Sequence, residues 1–148
     1  MRRAWIVLAG VLLAIGLGVG GVGIAPAGAK TSKPVQVDGK VNVKGTKDIS
    51  TKKSASIELE ADDYYFEPTF VKVQPGEKVR VTLKNEGSAA HTFTSDGLNI
   101  DQDVAAGKSV KFTITVPSDG TAFAFHCSFH GSMGMQGAFY TKAGGTAQ

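Results

Sequence analysis

From residue 56 onward, apolar and polar residues alternate in short runs that are separated by turn signals. The runs begin at Ile57, Phe70, Val79, Val110, Phe123 and Phe139, and the turns lie at Pro75-Gly76, Asp96-Gly97, Ala106-Gly107 and Pro117 to Gly120. Alternation places every second side chain on one face, so each run predicts a half-buried β-strand. The region has close to the roughly 100 residues of a two-sheet sandwich. The pattern therefore predicts an all-β sandwich, with one short helix around residues 101–106 as an alternative there.

The first 29 residues have the pattern of an export segment. Residues 4–29 contain no charged residue, follow a pair of arginines and end in Ala27-Gly28-Ala29, a small-x-small cleavage site. Residues 5–22 are also about long enough to span a bilayer if the segment is retained. We expect residues 1–29 to be a signal peptide or a signal anchor. The remainder is then expected in the periplasm or on the outer face of the cytoplasmic membrane.

Residues 30–55 differ in composition from the alternating region. They contain seven lysines, two aspartates and no aromatic residue, which predicts a flexible Lys-rich linker. Valines at positions 35, 37, 41 and 43 leave a short extra strand open as an alternative. Residues 56–148 carry seven Lys or Arg against eleven Asp or Glu, so the net charge of +3 comes from the leader and linker. This distribution argues against a nucleic-acid partner, because a nucleic-acid-binding fold needs a basic face of its own.

The segment from residue 125 to 137 concentrates metal-binding side chains. It contains the single cysteine, two of the three histidines and both methionines that follow the initiator. Cys127, His130 and Met135 are spaced C-x2-H-x4-M, and the remaining upstream histidine is His91. Two histidines, a cysteine and a distant axial methionine form the ligand set of a blue-copper electron-transfer site. Binding a metal would also give a role to a lone cysteine, which cannot form an intramolecular disulfide.

Strand parity separates the predicted ligands from their neighbours. Adjacent residues on a strand point to opposite faces. Phe123 and Phe125 share the parity of Cys127, so we expect them to pack beneath the metal site. His126 has the opposite parity and is expected to be a structural or surface residue.

Five motifs make residues 62–141 similar to cupredoxins of the plastocyanin, pseudoazurin and amicyanin kind. They are Asp63 to Pro68, Val73 to Glu77, Asn85 to Gly87, His91 to Phe93 and Cys127 to Gly137. The resemblance implies a cupredoxin-like Greek-key sandwich over residues 56–148, one type 1 copper ion and single-electron transfer between redox protein partners. It also implies that His130 is the ligand nearest to solvent. Several relatives carry Asn where this chain has Thr92, so we expect the hydrogen bond that holds the cysteine loop to be made differently.

The resemblance offers two spacings for the axial ligand. Met135 lies at the plastocyanin-like distance from His130, and Met133 lies at the shorter amicyanin-like distance. The family usually continues x-Gly-x-apolar after this methionine, which Gly137 and Phe139 satisfy for Met135 only. The predicted metal ligands are therefore His91, Cys127, His130 and Met135, with Met133 in an apolar surface around His130.

One alternative function stays open at this stage. A copper storage or delivery module could use the same four ligands to bind Cu(I), and such a module would be colourless. An enzyme is not expected, and neither is a small-molecule substrate. A copper nitrite reductase, for example, needs a second copper centre with more histidines than the three in this chain.

Overall fold

A computed structural model of the chain describes residues 33–52 and 54–148. In this part of the chain, ten strands form two sheets. The strands are β1 Thr46–Asp48, β2 Ser56–Asp62, β3 Tyr65–Glu67, β4 Phe70–Lys72, β5 Lys78–Asn85, β6 His91–Ser95, β7 Ile100–Val104, β8 Ser109–Thr115, β9 Phe123–His126 and β10 Gln136–Tyr140. One sheet has the order β1-β4-β10-β9-β6-β7 and the other β3-β2-β5-β8. The predicted all-β sandwich is confirmed.

The core between the sheets follows from the alternation of apolar residues. The inward residues of β5 include Val79 and Leu83, which are fully buried. Phe93 and Phe125 of the six-stranded sheet stack with their ring centroids 4.7 Å apart. The helix considered for residues 101–106 is wrong, because most of that segment belongs to β7, which pairs antiparallel with β6.

Residues 33–52 pack against the sandwich, in contrast to the flexible linker predicted over residues 30–55. We call residues 33–52 the N-terminal arm. Val35 and Val37 of the arm are buried in an apolar cluster with Phe70, and Ile49 is fully buried in the main core. Strand β1 pairs in parallel with β4. The prediction failed because it weighed the number of lysines. Lys40, Lys44 and Lys47 are exposed, so they leave the apolar positions of the arm free to pack.

The predicted leader, residues 1–29, lies outside the described residues and stays a prediction. Among residues 33–52 and 54–148, no helix is long and apolar enough to cross a bilayer. The structure therefore describes the arm and the sandwich, and the described fold begins before residue 56.

Three neighbouring strands bring the predicted ligands to one edge of the six-stranded sheet. Strand β6 begins at His91, β9 ends directly before Cys127, and β10 begins directly after Met135. Strand β9 runs antiparallel to both β6 and β10. Its end therefore meets the beginnings of its two neighbours, and residues far apart in sequence become adjacent.

Gly137 fixes the position of β10 in this arrangement. A Cβ atom at this position would collide with the carbonyl oxygen of Thr69 and with the ring of Phe125. Only glycine therefore allows β10 to lie this close to its neighbours, which sets the register of the strand that follows Met135.

Replacement of Ile49 by alanine tests whether the arm belongs to the folded domain. Ile49 is fully buried, so its truncation is expected to lower the free energy of unfolding by about 2–5 kcal/mol. Thr46→Ala alters an exposed position of β1 and should cost at most about 1 kcal/mol. Chemical denaturation of the full chain measures both effects. If Ile49→Ala is as stable as the parent, the arm does not pack in solution.

Candidate metal centre

Three side chains that could hold a metal ion meet at the edge formed by β6, β9 and β10. The Nδ1 atom of His91 lies 3.2 Å from Nδ1 of His130 and 3.8 Å from Sγ of Cys127. The sulfur of Cys127 lies 3.5 Å from Nδ1 of His130. The structure thus brings three of the four predicted ligands into one donor triangle.

The size of the donor triangle fits a first-row metal ion. A point equidistant from its three corners lies about 2.0 Å from each, and zinc binds histidine nitrogen at about 2.0–2.1 Å and thiolate sulfur at about 2.3 Å. Soft thiolate and borderline imidazole donors are the ligands that copper prefers, and two histidines with one cysteine form its trigonal sites. The residues present therefore fit copper.

Burial and hydrogen bonding distinguish the two methionines of the loop. Met135 is fully buried in the core cluster that contains Cys127. Its carbonyl accepts the N–H of Cys127 at 3.0 Å, and its own N–H donates to the carbonyl of His130 at 3.2 Å. Met133 ends a short 3-10 helix and is 46% exposed. These contacts favour Met135 as the axial ligand, an assignment that stays a prediction.

Thr92 holds the cysteine loop against β6. Its N–H donates to Sγ of Cys127 at 3.4 Å, and its hydroxyl accepts the N–H of Ser128 at 2.8 Å. The hydroxyls of Ser128 and Thr94 lie 2.8 Å apart, and Thr94 donates to Asp101 at 2.7 Å. The N–H of Thr92 thus gives the buried sulfur a hydrogen-bond partner. In this chain a threonine thus makes the link to the cysteine loop.

The surroundings of His91 favour its neutral ring. The ring is buried, which lowers the pKa of His91, and the adjacent ring of His130 lowers it further. Asp63 opposes this effect, with a carboxylate oxygen 3.8 Å from Nε2 of His91. A Cβ atom at Gly87 would lie 2.8 Å from both of these atoms, so a glycine is needed there. Metal binding requires the neutral form of histidine, which burial favours here.

His130 connects the donor triangle with the protein surface. It is half-buried, and its ring lies edge-on to Tyr64 with centroids 5.2 Å apart and to Phe129 with centroids 6.2 Å apart. Tyr64, Phe129 and Met133 are exposed large hydrophobic residues, and we call these three the apolar patch. Met133 has the surface position predicted for it. The sequence analysis missed Tyr64, whose contact with His130 spans 66 residues.

The remaining histidine lies outside the donor triangle, as its parity predicts. His126 is half-buried and packs near Gly131, where a Cβ atom would lie 3.5 Å from its ring. Phe125 and Cys127, on either side of it, are fully buried. The sequence analysis missed two further residues. Asn42 joins the arm to the loop between His130 and Met135, and Gln136 joins the start of β10 to the arm.

Comparisons with known proteins agree with the two-sheet fold and with a copper site. A family model described as a cupredoxin-like domain matches residues 39–139, which include all four predicted ligands. The copper-resistant cuproprotein CopI of Pseudomonas aeruginosa is 50% identical over 40 residues, which are 27% of this chain and 22% of that protein. The match thus spans about a fifth of the length of this curated relative.

Solved copper proteins share the fold at low sequence identity. Reduced auracyanin from Roseiflexus castenholzii has a TM-score of 0.51 and 19% identity, over 60% of this chain and 97% of that one. Auracyanin A from Chloroflexus aurantiacus, a "blue" copper protein, has a TM-score of 0.52 and 18% identity, over 60% of this chain and 99% of that one. The metal-binding domain of the Streptococcus pneumoniae Cu(I)-exporting ATPase CopA has a TM-score of 0.53 and 13% identity, over 68% of this chain and 98% of that one.

The family model and these neighbours confirm the cupredoxin-like sandwich that the sequence motifs imply. The match extends through most of the described residues, and it begins within the arm. This chain therefore belongs to the cupredoxin-like domain family.

Proposed function

We propose that this protein is a type 1 copper electron carrier in which His91, Cys127, His130 and Met135 hold one copper ion. The donor triangle of two imidazoles and one thiolate is the observation that supports this most directly. When bound, copper supplies a one-electron change between Cu(II) and Cu(I). The likeness to auracyanin A, a blue copper protein, supports the same class of function.

The packing of the ligands suits a site that changes little on electron transfer. His91, Cys127 and Met135 are fully buried, so the protein excludes water from most of the site. Hydrogen bonds of Thr92 and the pairing of the three strands constrain the positions of the donors. A preorganised site has less to rearrange when its charge changes. This rigidity favours repeated electron transfer over release of the metal.

The apolar patch around His130 is the proposed docking surface for redox partners. Exposed apolar groups that cluster mark interaction sites. His130 lies at the base of this surface and belongs to the donor triangle, so its ring gives the shortest path from a docked partner. We propose redox proteins as partners and electron transfer rather than catalysis on a small-molecule substrate.

The leader pattern supports export of this carrier. We infer that residues 1–29 direct the protein to the periplasm or to the outer face of the cytoplasmic membrane. Amino-terminal mass spectrometry of the mature protein distinguishes a cleaved leader, with Lys30 first, from a retained anchor.

A copper storage or delivery module is the second candidate function. The partial match to a copper-resistant cuproprotein and the likeness to the Cu(I)-bound domain of a copper exporter favour it. Storage or delivery requires that copper leave the site, whereas a carrier keeps it through many redox cycles. Retention of copper during repeated oxidation and reduction therefore separates the two functions.

Cys127→Ser tests the metal centre directly. The copper-loaded parent is expected to show an intense blue or green absorption band on oxidation. The variant should lose this band because Cys127 is the only cysteine in the chain and supplies the thiolate. Visible absorption and electron paramagnetic resonance measure the result. An unchanged spectrum in the variant excludes the proposed site.

Met135→Gln and Met133→Gln form a matched pair that identifies the axial ligand. The axial residue tunes the potential of such a site, and an amide oxygen favours Cu(II) over Cu(I) more than a thioether does. Met135→Gln is therefore expected to lower the reduction potential and alter the spectrum, with little change in Met133→Gln. Voltammetry measures both potentials. A large shift in Met133→Gln alone would assign the axial position to Met133.

Met133→Lys tests the docking surface. A lysine in the apolar patch is expected to slow electron self-exchange between two copies by about tenfold, because like charges then meet at the contact. The visible spectrum should stay the same. Ser109→Lys adds the same charge on β8 and is the matched control. Nuclear magnetic resonance measures the exchange rates, and equal rates for both variants contradict a docking role for the patch.

A further inference from the structure

The arm is hydrogen-bonded to the loop that carries the metal ligands. The side-chain amide of Asn42 donates to the carbonyl of Tyr64 at 2.7 Å and to the carbonyl of Met133 at 3.0 Å. The backbone N–H of Asn42 donates to the carbonyl of Gly134 at 2.8 Å. One residue of the arm thus donates three hydrogen bonds, two of them to the loop.

Gln136 makes a second connection in the opposite direction. It directly follows Met135, and its side-chain amide donates to the carbonyl of Lys40 at 2.8 Å and to that of Asp38 at 3.1 Å. Two amide side chains therefore join the arm to the segment from Met133 to Gln136. Because each amide bonds to backbone carbonyls, both connections fix the path of the main chain.

The fit between arm and loop is close at Gly134. This residue has φ of 100°, a left-handed conformation that favours glycine. A Cβ atom there would lie 2.9 Å from the amide atoms of Asn42. Gly134 therefore provides both the conformation and the space that the contact with Asn42 requires.

Both residues that accept a hydrogen bond from the side chain of Asn42 lie close to His130 in space or in sequence. Tyr64 packs edge-on against the ring of His130 and has φ of 73°, which is unfavourable for a residue with a side chain. Met133 lies three residues after His130 and two before Met135. Asn42 thus links Tyr64, which contacts His130, to Met133, which lies between His130 and Met135 in the chain.

We propose that residues 38–42 of the arm act as a brace on the ligand loop, with Asn42 and Gln136 as positioning residues for His130 and Met135. The inference rests on the proposed copper site and deepens it. The brace limits movement of these two ligands when the charge of the site changes. It also makes the arm part of the site, although the arm supplies no ligand.

Amide hydrogen exchange of the full chain tests the brace without copper. In Asn42→Ala, the amides of Met133, Gly134 and Met135 are expected to exchange about tenfold faster, because two side-chain hydrogen bonds to the surrounding main chain are lost. The matched control is Gln102→Ala, which removes an amide that donates to the carbonyl of Asp101 at 2.8 Å. Loop amides should exchange as in the parent in this control.

The copper-loaded protein provides the second measurement. Asn42→Ala and Gln136→Ala are each expected to shift the reduction potential and the electron paramagnetic resonance spectrum, whereas Gln102→Ala should leave both unchanged. Unchanged loop exchange and potential in both variants overturn the proposal, as does equally faster exchange in the core strand β5. If the parent binds no copper, the proposed function fails, while hydrogen exchange in the copper-free chain still decides whether the brace exists.

Discussion

The hydrogen bonds that join Thr92 to the cysteine loop are the constraint on which the candidate metal centre depends. The sulfur of Cys127 is fully buried, and a buried thiolate is costly unless it is hydrogen-bonded. The N–H of Thr92 donates to this sulfur, and the hydroxyl of Thr92 accepts the N–H of Ser128, the residue after Cys127. Because Thr92 directly follows His91, the same contacts hold two of the donors together. Without them, β6 and the loop after β9 could separate and the donor triangle would open.

The parts of this structure that sequence reasoning predicted have local causes. The donors at positions 127 and 130 are three residues apart, so their chemistry is visible in one short motif. The inward side chains of β9, Phe123 and Phe125, follow from alternation along a single strand, and Cys127 directly after the strand continues it. His91 lies 36 residues before Cys127, and it could be predicted as a ligand only because the chain contains three histidines. Local pattern and rare chemistry together were sufficient to predict the sandwich and to nominate its ligands.

The parts that were missed depend on contacts between distant residues. Asn42 donates to a carbonyl 91 positions away, and every residue offers such a carbonyl. No sequence pattern therefore marks the partner of this amide. Tyr64 likewise reaches His130 through the fold. The arm was misjudged because its lysines were given more weight than its apolar residues, among them Ile49, which pack it against the core.

The place of β10 in its sheet determines when the metal centre can form. This strand is the last along the chain, yet it lies in the interior of the six-stranded sheet, between β4 and β9. A growing chain therefore cannot complete the sheet until it has been made to about residue 140, after every ligand has emerged. Domains generally fold as units once their chain is available. The donor triangle needs the completed sheet, so it forms only after the whole loop from Cys127 to Met135 has been synthesised.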